Sequence, residues 1–312
     1  MNAKLKNDGM LVLTALIWGS AFVAQSVGMD YIGPFTFNSI RCLMGGLVLL
    51  PVIWFMGRKR EKEGTAVKEK ADQQVKKEEK KTLLIGGICC GTALAVASSL
   101  QQIGLVYTSA GKAGFITALY ILIVPILGLF LGKKVGIKVW AGVGLALIGM
   151  YFLCIKEGFS ISYGDLLVVI CAVIFSGHIL IIDYFSPKVD GVKLSCIQFW
   201  VAGILCAVPM IISEKPSLDA IAAAYAPLLY AGVLSCGVAY TLQIVAQKNT
   251  DPTVASLILS LESVFAALTG WLVIHETLSP KELFGCLLVF AAIILAQLPE
   301  KQASLNHQSD SV

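Results

Sequence analysis

Apolar runs of about twenty residues, separated by short polar links, occupy most of the chain. A helix that crosses the hydrocarbon core of a bilayer needs about 20 predominantly apolar residues. Ten runs meet that requirement: 10–28, 34–56, 82–106, 110–132, 137–155, 164–185, 193–213, 225–247, 253–274 and 281–298. The pattern predicts an all-α membrane protein with ten transmembrane helices. The stretch 214–224 is ambiguous. Ile221 to Ala224 is apolar, but Glu214, Lys215, Pro216 and Asp219 make the stretch a loop or an interfacial turn. The first run follows Lys4 and Lys6 as a signal peptide would. It lacks a small-residue cleavage site and is followed by further spans, so it reads as a retained helix.

Composition agrees with the pattern. Of 312 residues, 57% are hydrophobic and 14% charged, with a mean hydropathy of +0.80; a soluble chain carries roughly a quarter charged residues. The net charge of +4 would raise the question of nucleic acid, but the basic residues sit in links between apolar runs and read as topology signals instead. With the N-terminus placed in the cytoplasm, Lys and Arg divide about 19 to 4 in favour of the cytoplasmic links, and about 9 to 4 without the charged loop. Both termini, the loop 57–81 and the tail 299–312 are therefore predicted cytoplasmic, with the mixed-charge loop a solvated tether. The nine cysteines all fall inside apolar runs with no C-x-x-C pair. They read as small hydrophobes, with no metal site or disulfide framework.

The chain also resembles itself. Shifted by about 142–143 residues, Ser99-Leu100-Gln101 falls on Thr241-Leu242-Gln243, Tyr107 to Ala110 on Asn249 to Pro252, and Gly142 on Gly285. More weakly, Ile17-Trp18-Gly19-Ser20 resembles Ile174-Phe175-Ser176-Gly177, and Pro51 matches Pro209. Two repeats follow, 10–155 and 164–298, each of five helices. An odd number of spans returns the chain on the opposite side, so the second copy is inverted. Inverted repeats are the architecture of alternating-access carriers.

The stretch from Ser260 to Ser279, followed by Gly285, resembles the closing helices of an EamA-type domain of the drug/metabolite transporter superfamily. Ile17 to Phe22 and Phe37 to Arg41 resemble that family's first two helices, and Tyr107 to Ala110 with Tyr120 and Pro125 its third and fourth. The likeness covers residues 10–298. Gly132-Lys133 in the first half and His275-Glu276 in the second stand where the family commonly has Gly-Glu, and both departures lie at helix ends. The resemblance implies a ten-helix secondary transporter of a small metabolite, an amino acid or related or drug-like compound, frequently an exporter. It does not name the substrate.

Ionisable groups within spans are costly and usually face a cavity or a partner. Arg41 lies roughly 10 Å into the second helix at 1.5 Å per residue, with Asn38 three residues earlier. Arg41 can grip a carboxylate bidentately, or snorkel outward or pin a neighbouring carbonyl. Glu262 lies near mid-membrane. It either takes part in transport or ties helices together, with Arg41 or His178 as partner. His178 can relay protons or bond a neighbouring helix, and Asp183 reads as solvated near the cytoplasmic end. Gln101, Gln102, Gln198 and Gln243, with Trp18, Tyr120 and Tyr240, supply the amide and aromatic groups of an amphipathic cavity.

No charged or amide side chain appears between Trp140 and Cys154 or between Gly285 and Ala296. The fifth and tenth helices are therefore predicted at the edge of the bundle, facing lipid or a second protomer. The other eight would line a cavity. An intramembrane enzyme would need a nucleophile–base pair or a metal cluster at depth, and neither H-E-x-x-H nor G-x-S-x-G occurs. A non-transporting receptor or scaffold is the other alternative. No cofactor and no ATP-binding loop are indicated.

Overall fold

The computed structural model describes residues 3–62, 71–108, 110–133, 135–154, 162–273 and 279–297, and every regular element among them is helical. In chain order these are α1 (Ala3–Gly28), α2 (Pro34–Lys62), α3 (Ala71–Leu105), α4 (Ala110–Thr117), α5 (Tyr120–Phe130), α6 (Ile137–Cys154), α7 (Tyr163–Phe185) and α8 (Gly191–Pro209). A π turn (Met210–Glu214) and two short helices, α9 (Leu218–Ala223) and α10 (Tyr225–Leu229), lead into a π segment, Tyr230–Tyr240. Then come α11 (Thr241–Gln247), α12 (Pro252–Leu259), α13 (Leu261–Val273) and α14 (Pro280–Gln297). The tail 299–312 and His275-Glu276 lie outside the described residues.

Among the described residues eight helical stretches are long and apolar enough to cross a membrane. The expected fifth and tenth spans correspond to shorter apolar stretches, Ile137–Gly149 and Leu283–Ala296. Large apolar side chains stand open on the outer surface, among them Leu47 and Phe55 of α2, Ile204 and Val208 of α8, and Leu287 and Ile294 of α14. Such a shell suits hydrocarbon, where helices satisfy their own backbone. Arg58 stacks over Trp54 at 3.8 Å near the end of α2, a cation–aromatic pairing fitted to the membrane–water boundary. The protein is a multi-pass membrane protein.

Two departures from plain spans position the interior. The ambiguous stretch 214–224 turns at Lys215, whose φ of 43° is left-handed, and Glu214 has a definite task. Its carboxylate accepts from Phe35 N (2.8 Å), Thr36 N (2.7 Å) and Thr36 Oγ1 (2.6 Å). It thus caps the opening of α2, where a helix has unsatisfied N–H groups and a positive dipole end. The fourth and ninth spans are each broken. Leu119 (φ −58°, ψ −13°) separates α4 from α5, and Ser260 (φ −61°, ψ −13°) separates α12 from α13. Both tighten to i→i−3 bonds, Leu119 N to Ile116 O and Ser263 N to Ser260 O. In the ninth span Ser256, Ser260 and Ser263 each donate to the carbonyl three residues back, a side-chain competition that bends helices. The α5 end is closed by Gly132 at φ 77°, with Lys133 N bonded to Gly128 O and Gly132 N to Leu129 O. That is a Schellman cap, and its left-handed residue favours glycine.

The main packing partners of each chain half come from the other half. The helix α3 lies on α7 and α8, α2 on α8 and the π segment, α1 on α13 and the π segment, and α6 on α14. Small residues permit these approaches, as expected where packing rather than hydrophobicity drives helix association. A Cβ at Gly19 would meet Glu262 O at 2.6 Å, and one at Gly149 would meet Gly285 O at 2.8 Å. The small stripe of α6 therefore serves contact with α14 inside one chain, leaving their outer faces open. Two ion pairs also cross between halves: Lys112 to Asp165 (2.6 Å) at one end of α7, and Lys133 to Asp183 (2.5 Å) at the other. Asp183, expected to be merely solvated, pins the end of α5.

Candidate functional site

The halves line a partly open cavity whose empty space, open solvent included, is about 450 Å³. From α1 it takes Trp18, Ala21, Phe22 and Gln25, from α2 Arg41, and from α3 Gln101. The broken fourth span adds Thr117 and Tyr120, and α7 adds Phe175, His178 and Ile179. Ser235 and Tyr240 of the π segment, Gln243 of α11 and Glu262 of α13 complete it. Nothing from α6, α14 or α8 appears in this lining, so seven of the expected eight spans take part. The missing one, α8, stands behind the wall: Gln198 Oε1 accepts from His178 Nε2 at 3.1 Å, in the tautomer with the proton on Nε2.

Of the residues singled out from sequence, Trp18, Arg41, Gln101, Tyr120, His178, Tyr240, Gln243 and Glu262 meet here, while Gln102 and Gln198 lie outside the lining. Asn38 lies outside it too. It is fully buried between α2 and α3, where its Nδ2 donates to Ser98 O at 3.0 Å. Three residues of helix leave the two side chains about 60° apart, and that offset separates Arg41 at the cavity from Asn38 at its edge against α3.

Arg41 is only 3% exposed, and its Nη1 donates to Gln25 Oε1 at 3.0 Å. Its guanidinium lies 5.8 Å from the Phe37 ring centroid, and its Nε has no hydrogen-bond partner. Across the cavity, Glu262 is also 3% exposed and neighbours Tyr120, yet Glu262 Oε1 and Tyr120 Oη each lack a hydrogen bond of good geometry. Among the described residues no ion pair joins Arg41 or Glu262 to any partner. The anticipated tie of Glu262 to Arg41 or His178 is not formed. Tyr240 stands within electrostatic reach of both Arg41 and Glu262, and its ring lies 4.5 Å from Trp18 and 6.2 Å from His178, centroid to centroid. Gln101 is held by Thr117 Oγ1 at 3.0 Å. Trp18 Nε1 and Gln243 Oε1 are further polar atoms without partners. Unsatisfied buried polar groups are rare in native interiors and call for an explanation. Five of them, on Trp18, Arg41, Tyr120, Gln243 and Glu262, belong to residues lining this one space, while others, among them Ser186 Oγ and Gln247 Oε1, lie elsewhere. The described residues include no group of three His, Cys, Asp or Glu side chains able to hold a metal.

Gln25, Thr117 and Ser235 were not singled out from sequence. Gln25 was legible: Trp18, Ala21, Phe22 and Gln25 stand at i, i+3, i+4 and i+7, one helical face. Ser235 was not, because the π segment breaks that periodicity. The lining residues also fall into pairs under the sequence repeat. Gln101 and Gln243 share the cavity, as do Tyr120 and Glu262 at the same shift, each in the first turn of the second piece of a broken span. Trp18, Ala21 and Phe22 correspond likewise to Phe175, His178 and Ile179.

The model of the EamA-like transporter family matches twice, over residues 5–155 and 162–298. An uncharacterized transporter of Archaeoglobus fulgidus is 32% identical over 296 residues, covering 95% of this chain and 87% of that protein. A protein of Streptantibioticus cattleyicolor named as a probable terminal-alkyne amino-acid exporter is 24% identical, with 91% of each chain covered. A solved crystal structure superposes with a TM-score of 0.72 at 19% identity, covering 93% of this chain and 96% of the other. The chain belongs to the EamA-like transporter family.

Proposed function

We propose that this protein is a secondary transporter that moves a small amino-acid-like metabolite out of the cell across the cytoplasmic membrane by alternating access. The observation that carries the reading is the cavity holding Arg41 and Glu262 with no ion-pair partner for either among the described residues. A zwitterion brings one charge for each, and the aromatic pair Trp18–Tyr240 offers apolar contact between them. Isolated buried charges are costly, so such a site favours a ligand that completes it. Ten spans in two inverted sets of five, with α6 and α14 closing each set and both termini cytoplasmic, form the architecture we assign. The pairing of repeat-related residues around one cavity supports it, as does the excess of Lys and Arg on one side. Export is assigned on the likeness to the amino-acid exporter.

Proteoliposome flux of amino acids, sugars and cationic drugs, with and without a pH gradient, tests this. Flux of an amino acid or close relative is expected. Arg41→Ala and Glu262→Gln, reaching the membrane normally, are each expected to lower it by about tenfold or more. Full flux in both variants would refute the site, and absence of any flux would favour a receptor or scaffold.

A further inference from the structure

The hydrogen bond between Gln25 and Arg41 reaches beyond the residues that meet substrate charge directly. We infer that Gln25 is a positioning residue that sets the charge selectivity of the cavity: it aims the Arg41 guanidinium and, being neutral, leaves its charge to an anionic group on the ligand. The inference rests on the transport reading of the cavity.

Gln25 is 4% exposed, and each part of its amide has one direction open to it. Its Nε2 donates along its own helix to Ala21 O at 3.2 Å, so the amide oxygen faces Arg41 Nη1. From behind, Gln102 Nε2 on α3 donates to the backbone carbonyl of Gln25 at 3.2 Å, fixing α1 where the side chain departs. The Phe37 ring lies near the guanidinium. Gln25 and the Phe37 ring therefore hold Arg41, with Gln102 bracing Gln25 from behind, and none of the three is anionic. Glutamate has almost the same shape as glutamine. At this position its carboxylate would form a buried ion pair with Arg41 and would discharge the cation before any ligand arrived. The amide oxygen orients without neutralising. It leaves Arg41 Nε, which has no hydrogen-bond partner among the described residues, as a donor for a second acceptor.

The test uses the purified full-length protein and a matched trio of probes: L-leucine, L-leucinamide and isoamylamine. Binding is read as ligand-induced thermal stabilisation and, in proteoliposomes, as counterflow. Wild type is expected to favour the carboxylate-bearing probe over the amide and the amine. Gln25→Glu is expected to lose affinity for L-leucine by about tenfold or more, as a filled counter-ion site requires. Its relative preference for L-leucinamide and isoamylamine should rise. A merely structural role would weaken all three probes together and leave the ratio unmoved. If Gln25→Glu does not yield folded protein, Gln25→Met removes the acceptor without adding charge and is expected to weaken L-leucine selectively. Unchanged acid-over-amide selectivity in the folded variant overturns the inference and leaves the transport reading intact. A wild-type preference for the amine overturns it as well. Failure of wild type to bind or move any member of the trio removes the amino-acid reading itself, and the inference with it.

Discussion

Replacing Gly19 with alanine probes the closest helix crossing beside the candidate site. A Cβ there would lie 2.5 Å from Phe265 Cβ, 2.6 Å from Glu262 O and 2.8 Å from Ala266 N. Two of these three atoms belong to the backbone of α13 and have no rotamer in which to retreat. Ordinary contact begins near 3.4 Å, so α1 and α13 must separate by about 0.8 Å to relieve the carbonyl clash. Overpacking of this kind costs about 1–3 kcal/mol. The displaced segment carries Glu262, so substrate affinity should fall together with stability. Gly177 on α7 supplies the control, since nothing lies within 4 Å of a Cβ built there. Alanine at that position should be neutral or stabilise by about 0.5–1 kcal/mol through helix propensity. The assay is thermal unfolding of the two variants in one detergent, followed by flux in proteoliposomes. A Gly19→Ala protein with wild-type melting and flux would refute the claim that this crossing fixes the Glu262 wall.

Further outcomes follow from the same geometry. Glu214→Ala removes three bonds from the opening of α2 and should lower stability by about 1–2 kcal/mol, measured by thermal unfolding. A Cβ at Gly33 would collide with the Glu214 carboxylate, so Gly33→Ala should be costly alone and nearly free in the Glu214→Ala background; additive losses would contradict this. Gly132→Ala forces a left-handed φ of 77° on a residue with a Cβ and should cost about 1 kcal/mol, also seen as a lowered melting temperature.

Much of the fold was legible because a bilayer imposes a length on every span. Apolar runs set the helices, and Lys and Arg in the links suggested which side each faces. The breaks at Leu119 and Ser260 were not legible, since leucine and serine are common within spans and it is the i→i−3 bonding that marks the interruption. The π segment escaped for a similar reason: Tyr230–Tyr240 carries no charged or amide side chain, and hydropathy cannot distinguish π from α winding. Polar residues at depth gave most of the cavity, because a polar group in hydrocarbon must face something. Asn38 shows the weakness of that rule: it faces Ser98 of a neighbouring helix.

The repeat places like backbone positions around one cavity and gives them unlike chemistry. Tyr120 opens α5 and Glu262 is the second residue of α13. The two side chains are neighbours. Ala21 likewise corresponds to His178, so the ionisable groups from α7 and α13 have no charged counterpart at the matching positions of α1 and α5. If the two positions are truly equivalent, the carboxyl should function, in part, from either. Glu262→Tyr alone removes the carboxyl and crowds the pocket with a second phenol, and should abolish substrate-induced stabilisation. Combining it with Tyr120→Glu restores the carboxyl and total volume while moving the charge to the opposite half. Proteoliposome flux in the exchanged protein should recover measurably above that of Glu262→Tyr. An exchanged protein that folds yet stays as inactive as the single variant would mean that the carboxyl must come from α13. The repeat would then match backbone positions without making their side chains interchangeable.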